Sequence, residues 1–453
     1  MNPATINRLI VLFDRAFREA APALDMAAAE RLAMLVHHSM NPRTRVYHTP
    51  DHVFAMCDGL NGRQTLAALF HDVVYYQLDG GFPVDVADLL HPVVRDDFGV
   101  VRLRSIAPSD RWLALCAEVF GFKAGQEISV YGGLNEFLSA VVAVRKLSEH
   151  VSLQDMMVIL ACIEATVPFR SGQGAASPCQ ALATRLAQAV RQWLPEWDAA
   201  KQAAFVDIAV KEAVVLANRD VEGFAETDPG QFLGTTWLLI EESNAPLKAV
   251  GVYSLGDYRA ALMRMELFLS NLEPASIFHA YGDVPGEARL AQLEESARRN
   301  LRFACDFLDS KIATVAIVEA LALCSGSNCP VSMFLGDIAS VHGKPDRAED
   351  HLPAPPQGQR INEALLHVFE KGRSRESNND LTASPLTAFV YRSIGQDGMQ
   401  AAILQAKKMF DGTLSPADFL RSLDPAMVKA ILRACAQIAF SRKDALLALE
   451  ASL

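Results

Sequence analysis

Apolar residues recur at three- and four-residue spacing through most of this chain, the period of a helix with one buried face. In "INRLIVLFDRAFREA" the stripe is Ile6, Leu9, Leu12, Phe13 and Phe17. The same period marks "TLAALFHDVVYY", "FLSAVVAVRKL", "QDMMVILACIEA", "AAFVDIAVKEAVVLANRD" and "YRAALMRMELFLSNL". Alternating β-branched runs are nearly absent, and "VSMFLGDIASV" fits either state. The pattern predicts an all-α fold. It weakens over 79–134, where several Gly and Pro separate helical fragments such as "DRWLALCAEVF". Residues 167–180 read as a loop, and 343–360, with four prolines and little apolar content, as a linker. "KGRSRESNNDLTASP" marks a second flexible stretch. The expected organisation is a domain over 1–225 interrupted at about 79–134, and a helical extension over 226–342. After the linker a helical module covers 361–453, suited to docking, dimerisation or regulation.

Composition narrows the class. A chain of 453 residues supports two or three domains, and 51% hydrophobic with 21% charged residues suits a soluble globular protein. The net charge of −11 and the lack of a basic block give no nucleic-acid signal. A small anionic substrate stays open, because a bound metal reverses the local field. No apolar run reaches the ~18–20 residues of a membrane span. Asp14 and Arg15 interrupt the apolar N-terminal piece, which argues against a signal peptide. The eight cysteines are scattered; Cys324 and Cys329, with four residues between them, make a poor zinc site. Reduced thiols and a cytoplasmic location are expected.

Candidate chemistry starts at "YHTPDH". Thr49 suits a helix N-cap and Pro50 the first helical position. His48 then sits on the entering turn and His52 in the first turn, so both can project toward one site. Such a pair also arises without a metal. In the next helix, Leu66, Ala67, Leu69, Phe70, Val73 and Val74 surround His71 and Asp72. A buried carboxylate there needs a His or Arg partner, or a cation. Asp220 in "KEAVVLANRDV" shares the apolar face of Ala213, Leu216 and Ala217. A divalent cation bound by His and Asp would satisfy both carboxylates. In "NEFLSA", Glu136 shares a face with Ser139, Ala140 and Ala143. It either hydrogen-bonds a metal-bound water or is a solvated first-turn Glu.

The set His52, His71-Asp72, Asp220 resembles the H…HD…D signature of the HD superfamily of metal-dependent phosphohydrolases, all-helical domains. The likeness is nearer to a bacterial branch with Tyr-His…His, like Tyr47, His48 and His52. That branch continues with a Phe-His-Asp-Val-Val-Tyr run, like "FHDVVYY", then Asn-Glu…Ser-Ala, like "NEFLSA". An Ile-x-Ala-Thr element follows, like Ile163–Thr166, and a last Asp, like Asp220. Cyclic nucleotide phosphodiesterases are similar at greater distance. The resemblance covers roughly residues 30–225. It implies an HD-type helical bundle followed by further helical regions. His52, His71, Asp72 and Asp220 would hold one or two divalent ions (Mn, Mg, Fe, Ni, Co or Zn), with Asp72 bridging to the second. It further implies water attacking a phosphomonoester or phosphodiester, most naturally of a nucleotide, with His48 as general acid and Glu136 positioning the water. Tyr47 either packs or touches substrate; Arg170 either binds phosphate or is an ordinary loop arginine. The chain departs from the pattern twice. About sixty residues separate His-Asp from Asn-Glu, as a lid or partner surface would. The branch's His after Ile-x-Ala-Thr is replaced by Phe169-Arg170.

Two other readings compete. A di-iron oxygenase would need extra His ligands; His91 and His150 lie in the right interval but in no matching motif. A non-catalytic protein could keep the metal as a structural or sensory core and signal through its C-terminal half. Outside this region, "SIFHAYGDVPGEARL" reads as a turn between helices and Arg298, Arg299 and Arg302 as a solvated face. The expected partner is a small phosphorylated substrate, with self-association through the C-terminal helices.

Overall fold

The computed structural model describes residues 4–20, 25–41, 44–170, 177–249, 252–338, 345–356, 358–375 and 380–453. The fold is all-α, with one two-stranded hairpin among these residues. The chain forms two compact units. The first is Met1–Ala225 with Leu272–Ala297; the second is Glu226–Asn271 with Arg298–Leu453.

In the first unit the helices are α1 (Thr5–Ala20), α2 (Met26–Ser39), α3 (Pro50–Met56) and α4 (Gly62–Phe70). Two single turns follow, α5 (Tyr76–Asp79) and α6 (Ala87–Leu90), then strands β1 (Val94–Asp97) and β2 (Val100–Leu103). The remaining helices are α7 (Arg111–Phe120), α8 (Leu134–Leu147), α9 (Leu153–Ala165), α10 (Pro178–Trp193) and α11 (Ala199–Asp220). α9 is apolar on every side, and Met156 through Ile163 are all fully buried. A helix of that kind belongs at the centre, and α4, α7, α8, α10 and α11 all pack on it. The order of buried positions in α4 (Leu66, Ala67, Leu69, Phe70) agrees with a helix enclosed nearly all round.

The stretch 79–134 is not all excursion. Within it α7 buries Leu113, Leu115, Cys116, Val119 and Phe120 and packs on α8, α9 and α10. The hairpin was not legible in the sequence, since "VRDD" has no apolar alternation; Phe98 and Gly99 turn it, both at positive φ. The eight cysteines are unpaired thiols, five of the first seven lying fully buried or nearly so.

In the second unit α12 (Pro229–Ser243), α13 (Leu255–Ser270) and the later turns of a long helix pack with the C-terminal helices. Between the two segments of the second unit the chain returns to the first as α14 (Pro274–Ile277) and the opening turns of that long helix, α15 (Glu287–Ser325), whose remainder belongs to the second. "VSMFLGDIASV" resolves as a short helix, α16 (Val331–Leu335). The buried Lys311 ammonium is matched by Asp380 Oδ2 at 3.1 Å and Ser384 Oγ at 3.2 Å. The proline-rich stretch is docked where described: Arg347 donates to the Gly336 and Asp337 carbonyls, and Ala348 is buried. Residues on either side of it belong to the same unit. Residues 343, 344, 357 and 376–379, within the expected linker and second flexible stretch, lie outside the described residues, as do 171–176 of the expected loop. No helix among the described residues is long and apolar enough to cross a membrane.

Candidate metal centre

Three helix ends bring the polar residues together. Thr49 takes the N-cap position of α3 and Pro50 the first helical one, although the Thr49 hydroxyl makes no capping bond. This sets His52 in the first turn. α4 stops after Phe70, so His71 is its C-cap residue and Asp72 lies in the turn beyond. The sequence reading placed this pair inside the helix, because apolar periodicity continues through Val73 and Val74 and hides the end. Asp220 is the last residue of α11, on the side of the buried Ala213, Leu216 and Ala217.

One ligand atom each from His52, His71 and Asp72 falls within 4.8 Å of the others. Asp220 Oδ1 lies 2.9 Å from His52 Nε2 and 3.4 Å from His71 Nε2. His52, His71 and Asp72 can therefore share one ion, and the Asp220 carboxylate borders both imidazoles. His71 Nδ1 is 2.8 Å from the Ala68 carbonyl, which can only accept, so Nδ1 carries the hydrogen and Nε2 is directed at the cluster. Nε2 is buried, 3.1 Å from Asp72 Oδ2, and makes a hydrogen bond to neither carboxylate. Two imidazole nitrogens and two carboxylates, one nitrogen an orphan, fit a divalent transition metal.

No protein-family model, curated protein or solved structure matches the chain. The chemistry of the site rests on its own residues.

In the metal-free protein the charges settle as follows. Burial alone pushes the His71 imidazole down, but Asp72 and Asp220 together hold it well above its ordinary value. Burial pushes Asp72 up, and the imidazoles of His71, His48 and His52 more than reverse this, leaving it lowered. Burial pushes Asp220 up as well, but its hydrogen bond with His52 and the neighbouring His71 imidazole hold it at about 2.

Glu136 stands next to this cluster. It is buried rather than a solvated first-turn residue, and its Oε2 has no hydrogen-bond partner among the described residues. Burial pushes its carboxyl up to about 8, with Asp72 and Asp220 adding to the rise. α8 can bring it in because Gly133, the N-cap residue, has a φ of +95°, and a Cβ there would lie 2.9 Å from Val167. Val167 directly follows the Ile163–Thr166 element.

These shifts set the pH response of the metal-free fold. Glu136 and His71 bind their protons more tightly folded than unfolded, so that stability is full at low pH. It is lost as pH rises from the ordinary carboxyl value of 4.5 toward about 8 for Glu136. The lowered Asp72 and Asp220 act oppositely, but only below their ordinary value of 3.8. We expect the Tm of chelator-treated protein to fall between about pH 5 and 8. Glu136→Gln should flatten that fall; an identical slope in the variant would contradict the assignment.

His48 lies outside the convergent group. Its ring centre is 6.0 Å from that of His52 and 4.4 Å from that of Tyr75, and its charge bears on Asp72. Tyr47 packs against both imidazoles, 4.7 Å from His48 and 5.0 Å from His52. Arg170 is engaged by Glu164, through the carboxylate at 2.6 Å and the carbonyl at 2.8 Å. Arg185 shares that fully buried carboxylate at 2.5 Å. His91, exposed against Phe82, and His150, against Phe17, do not join the cluster.

Several supporting residues escaped the sequence reading. Buried Arg45 donates to the Asp72 and Val73 carbonyls at 2.6 and 3.3 Å, and to the Asp79 carboxylate at 3.0 and 2.6 Å. Ser139 Oγ accepts from the Val74 N–H at 3.0 Å, and Asn135 Oδ1 from the Tyr76 N–H at 3.0 Å. Three side chains thereby fix the turn that carries Asp72. The buried position of Asn135 and Ser139 beside Glu136 was the available signal; Arg45 gave none. Arg45→Ala leaves Asp79 and two carbonyls without their main partner. A loss of about 3–5 kcal/mol is expected for breaking such a buried pair, measured by urea unfolding; a change under about 1 kcal/mol, the scale of an exposed pair, would show the network to be dispensable.

Proposed function

We propose that this chain is a metal-dependent phosphoester hydrolase of the HD type, acting on a small phosphorylated substrate such as a nucleotide. The observation that carries the reading is the grouping of His52, His71 and Asp72 within reach of one ion, with the Asp220 carboxylate against both imidazoles and a third imidazole, His48, beside them. A divalent ion held there would supply an acidified water and offset charge on a phosphoryl oxygen. The residues do the rest. The Ala68 carbonyl orients His71, and Arg45 anchors the backbone of Asp72. Glu136, with an unengaged carboxyl oxygen, orients the attacking water. His48 gives its proton to the leaving oxygen as the ester bond breaks, a role imidazoles commonly take. Tyr47 holds His48 and His52 in place by ring packing. Arg170 holds Glu164 through both terminal guanidinium nitrogens, which leaves it a structural residue in this reading. The separation of His91 and His150 from the cluster favours hydrolysis over the di-iron reading.

The test is a panel of phosphomonoesters and phosphodiesters offered with Mn, Mg, Ni, Co and Fe, read together with bound-metal content. Metal-dependent release of phosphate or alcohol from at least one class is the expected result. Stoichiometric metal with no turnover of any ester would favour a metal-containing binding protein instead.

A further inference from the structure

We propose that the segment Leu272–Ala297 completes the metal centre, with Asn218 as a positioning residue that holds Asp220 through a two-point bond to the backbone of His279. The proposal rests on the reading that the cluster holds a metal.

Asp220 occupies a weak place for a ligand. It is the last residue of α11, where the final carbonyls have no partner within the helix and the backbone tends to fray. A ligand there needs an anchor from outside the helix. Asn218, two residues earlier, supplies one. Its Nδ2 donates to the His279 carbonyl at 2.9 Å, and its Oδ1 accepts from the His279 N–H at 2.8 Å. The side-chain amide thus pairs with a peptide unit as a neighbouring strand would, fixing both distance and orientation. Single hydrogen bonds permit rotation; this pair does not.

Further contacts tie the same segment to the same helix. Lys211 of α11 pairs with Asp283 at 2.8 Å, and Arg289 reaches Glu222, just past Asp220, at 3.4 Å. Tyr281 and Val284 pack against the core of the first unit. The ion pairs involve exposed groups and each contributes little. The half-buried, directional amide pair is the element able to set the position of Asp220. Beyond it, Phe224 meets Phe169 edge-on at 5.6 Å, securing the chain after the ligand. The sequence reading took "SIFHAYGDVPGEARL" as a turn; it is also the far wall of the Asp220 anchor. Residues 1–225 alone would therefore lack part of the support for the site.

His279 contributes through its backbone, which allows a clean separation. Mn²⁺ binding is measured by isothermal titration on the full chain, with the Tm of the metal-free protein recorded in parallel. Asn218→Ala is expected to weaken Mn²⁺ binding about 10-fold or more, the scale for residues that orient metal ligands. His279→Ala, which keeps the N–H and C=O, should bind as the wild type does. His279→Pro removes the N–H without touching α11 and should give a smaller loss in the same direction; it decides the matter if Asn218→Ala does not fold. Wild-type affinity in a folded Asn218→Ala protein overturns the proposal, even if its Tm falls, because the pair would then be merely structural. An equal loss in His279→Ala also overturns it. Absence of Mn²⁺ binding in the wild type would instead remove the metal reading on which the proposal stands.

Discussion

Asp72→Ala is expected to bind no divalent metal at concentrations that saturate the wild type, and to hydrolyse no phosphoester. Of the four converging residues, Asp72 is the most enclosed carboxylate, and its charge bears on His71, His48 and His52 together. Removing it takes away one ligand and half of the negative charge that attracts a cation. Losses of 10–100-fold are usual for residues that only orient ligands, so loss of a ligand carboxylate should exceed ~100-fold. The fold should survive. Arg45 grips the carbonyl of residue 72, not its side chain, and that carbonyl remains in the alanine variant. Thermal unfolding separates the two effects. Metal at about 100 times its Kd stabilises a protein that binds it only when folded by about 2.7 kcal/mol; the variant should show no such rise. A metal-dependent stabilisation equal to that of the wild type would place the ion elsewhere.

His48→Ala is expected to keep its metal and lose rate. His48 sits beside the cluster, not in it, with its ring against Tyr75 and Tyr47. General acid catalysis by a positioned side chain contributes about 10²–10⁴-fold, and kcat should fall by that range. The pH profile adds a sharper reading. If His48 is the acid, the wild-type rate should fall toward high pH, because the proton for the leaving oxygen is lost. The variant should lack that limb. Loss of metal in His48→Ala would make His48 a ligand, and an unchanged rate would remove it from the chemistry.

The helical class was readable because the apolar period is strong and unbroken in α1, α4, α9 and α11. The site residues were readable for a related reason: polar side chains on apolar faces demand an explanation, and His71, Asp72 and Asp220 were the conspicuous cases. Periodicity does not mark where a helix stops, which is why His71-Asp72 was expected within α4 and instead forms its end. It also misses strands without apolar alternation, as at Val94–Asp97. Arg45 and the Asn218–His279 pair were illegible for a deeper reason. Their partners lie 27 and 61 residues away, and nothing local in either stretch specifies the meeting. Glu136 falls between these cases: spacing placed it on a helix with small neighbours, but only packing around Gly133 decides that it is buried.

The central claim is that the convergent group holds a divalent ion. The most direct measurement is the metal content of the purified full chain after exposure to Mn, Fe, Co, Ni and Zn and removal of the excess, beside Asp72→Ala treated identically. One or two ions per wild-type chain and none in the variant is the result this account predicts. Equal content in the two proteins, or none in either, would contradict it.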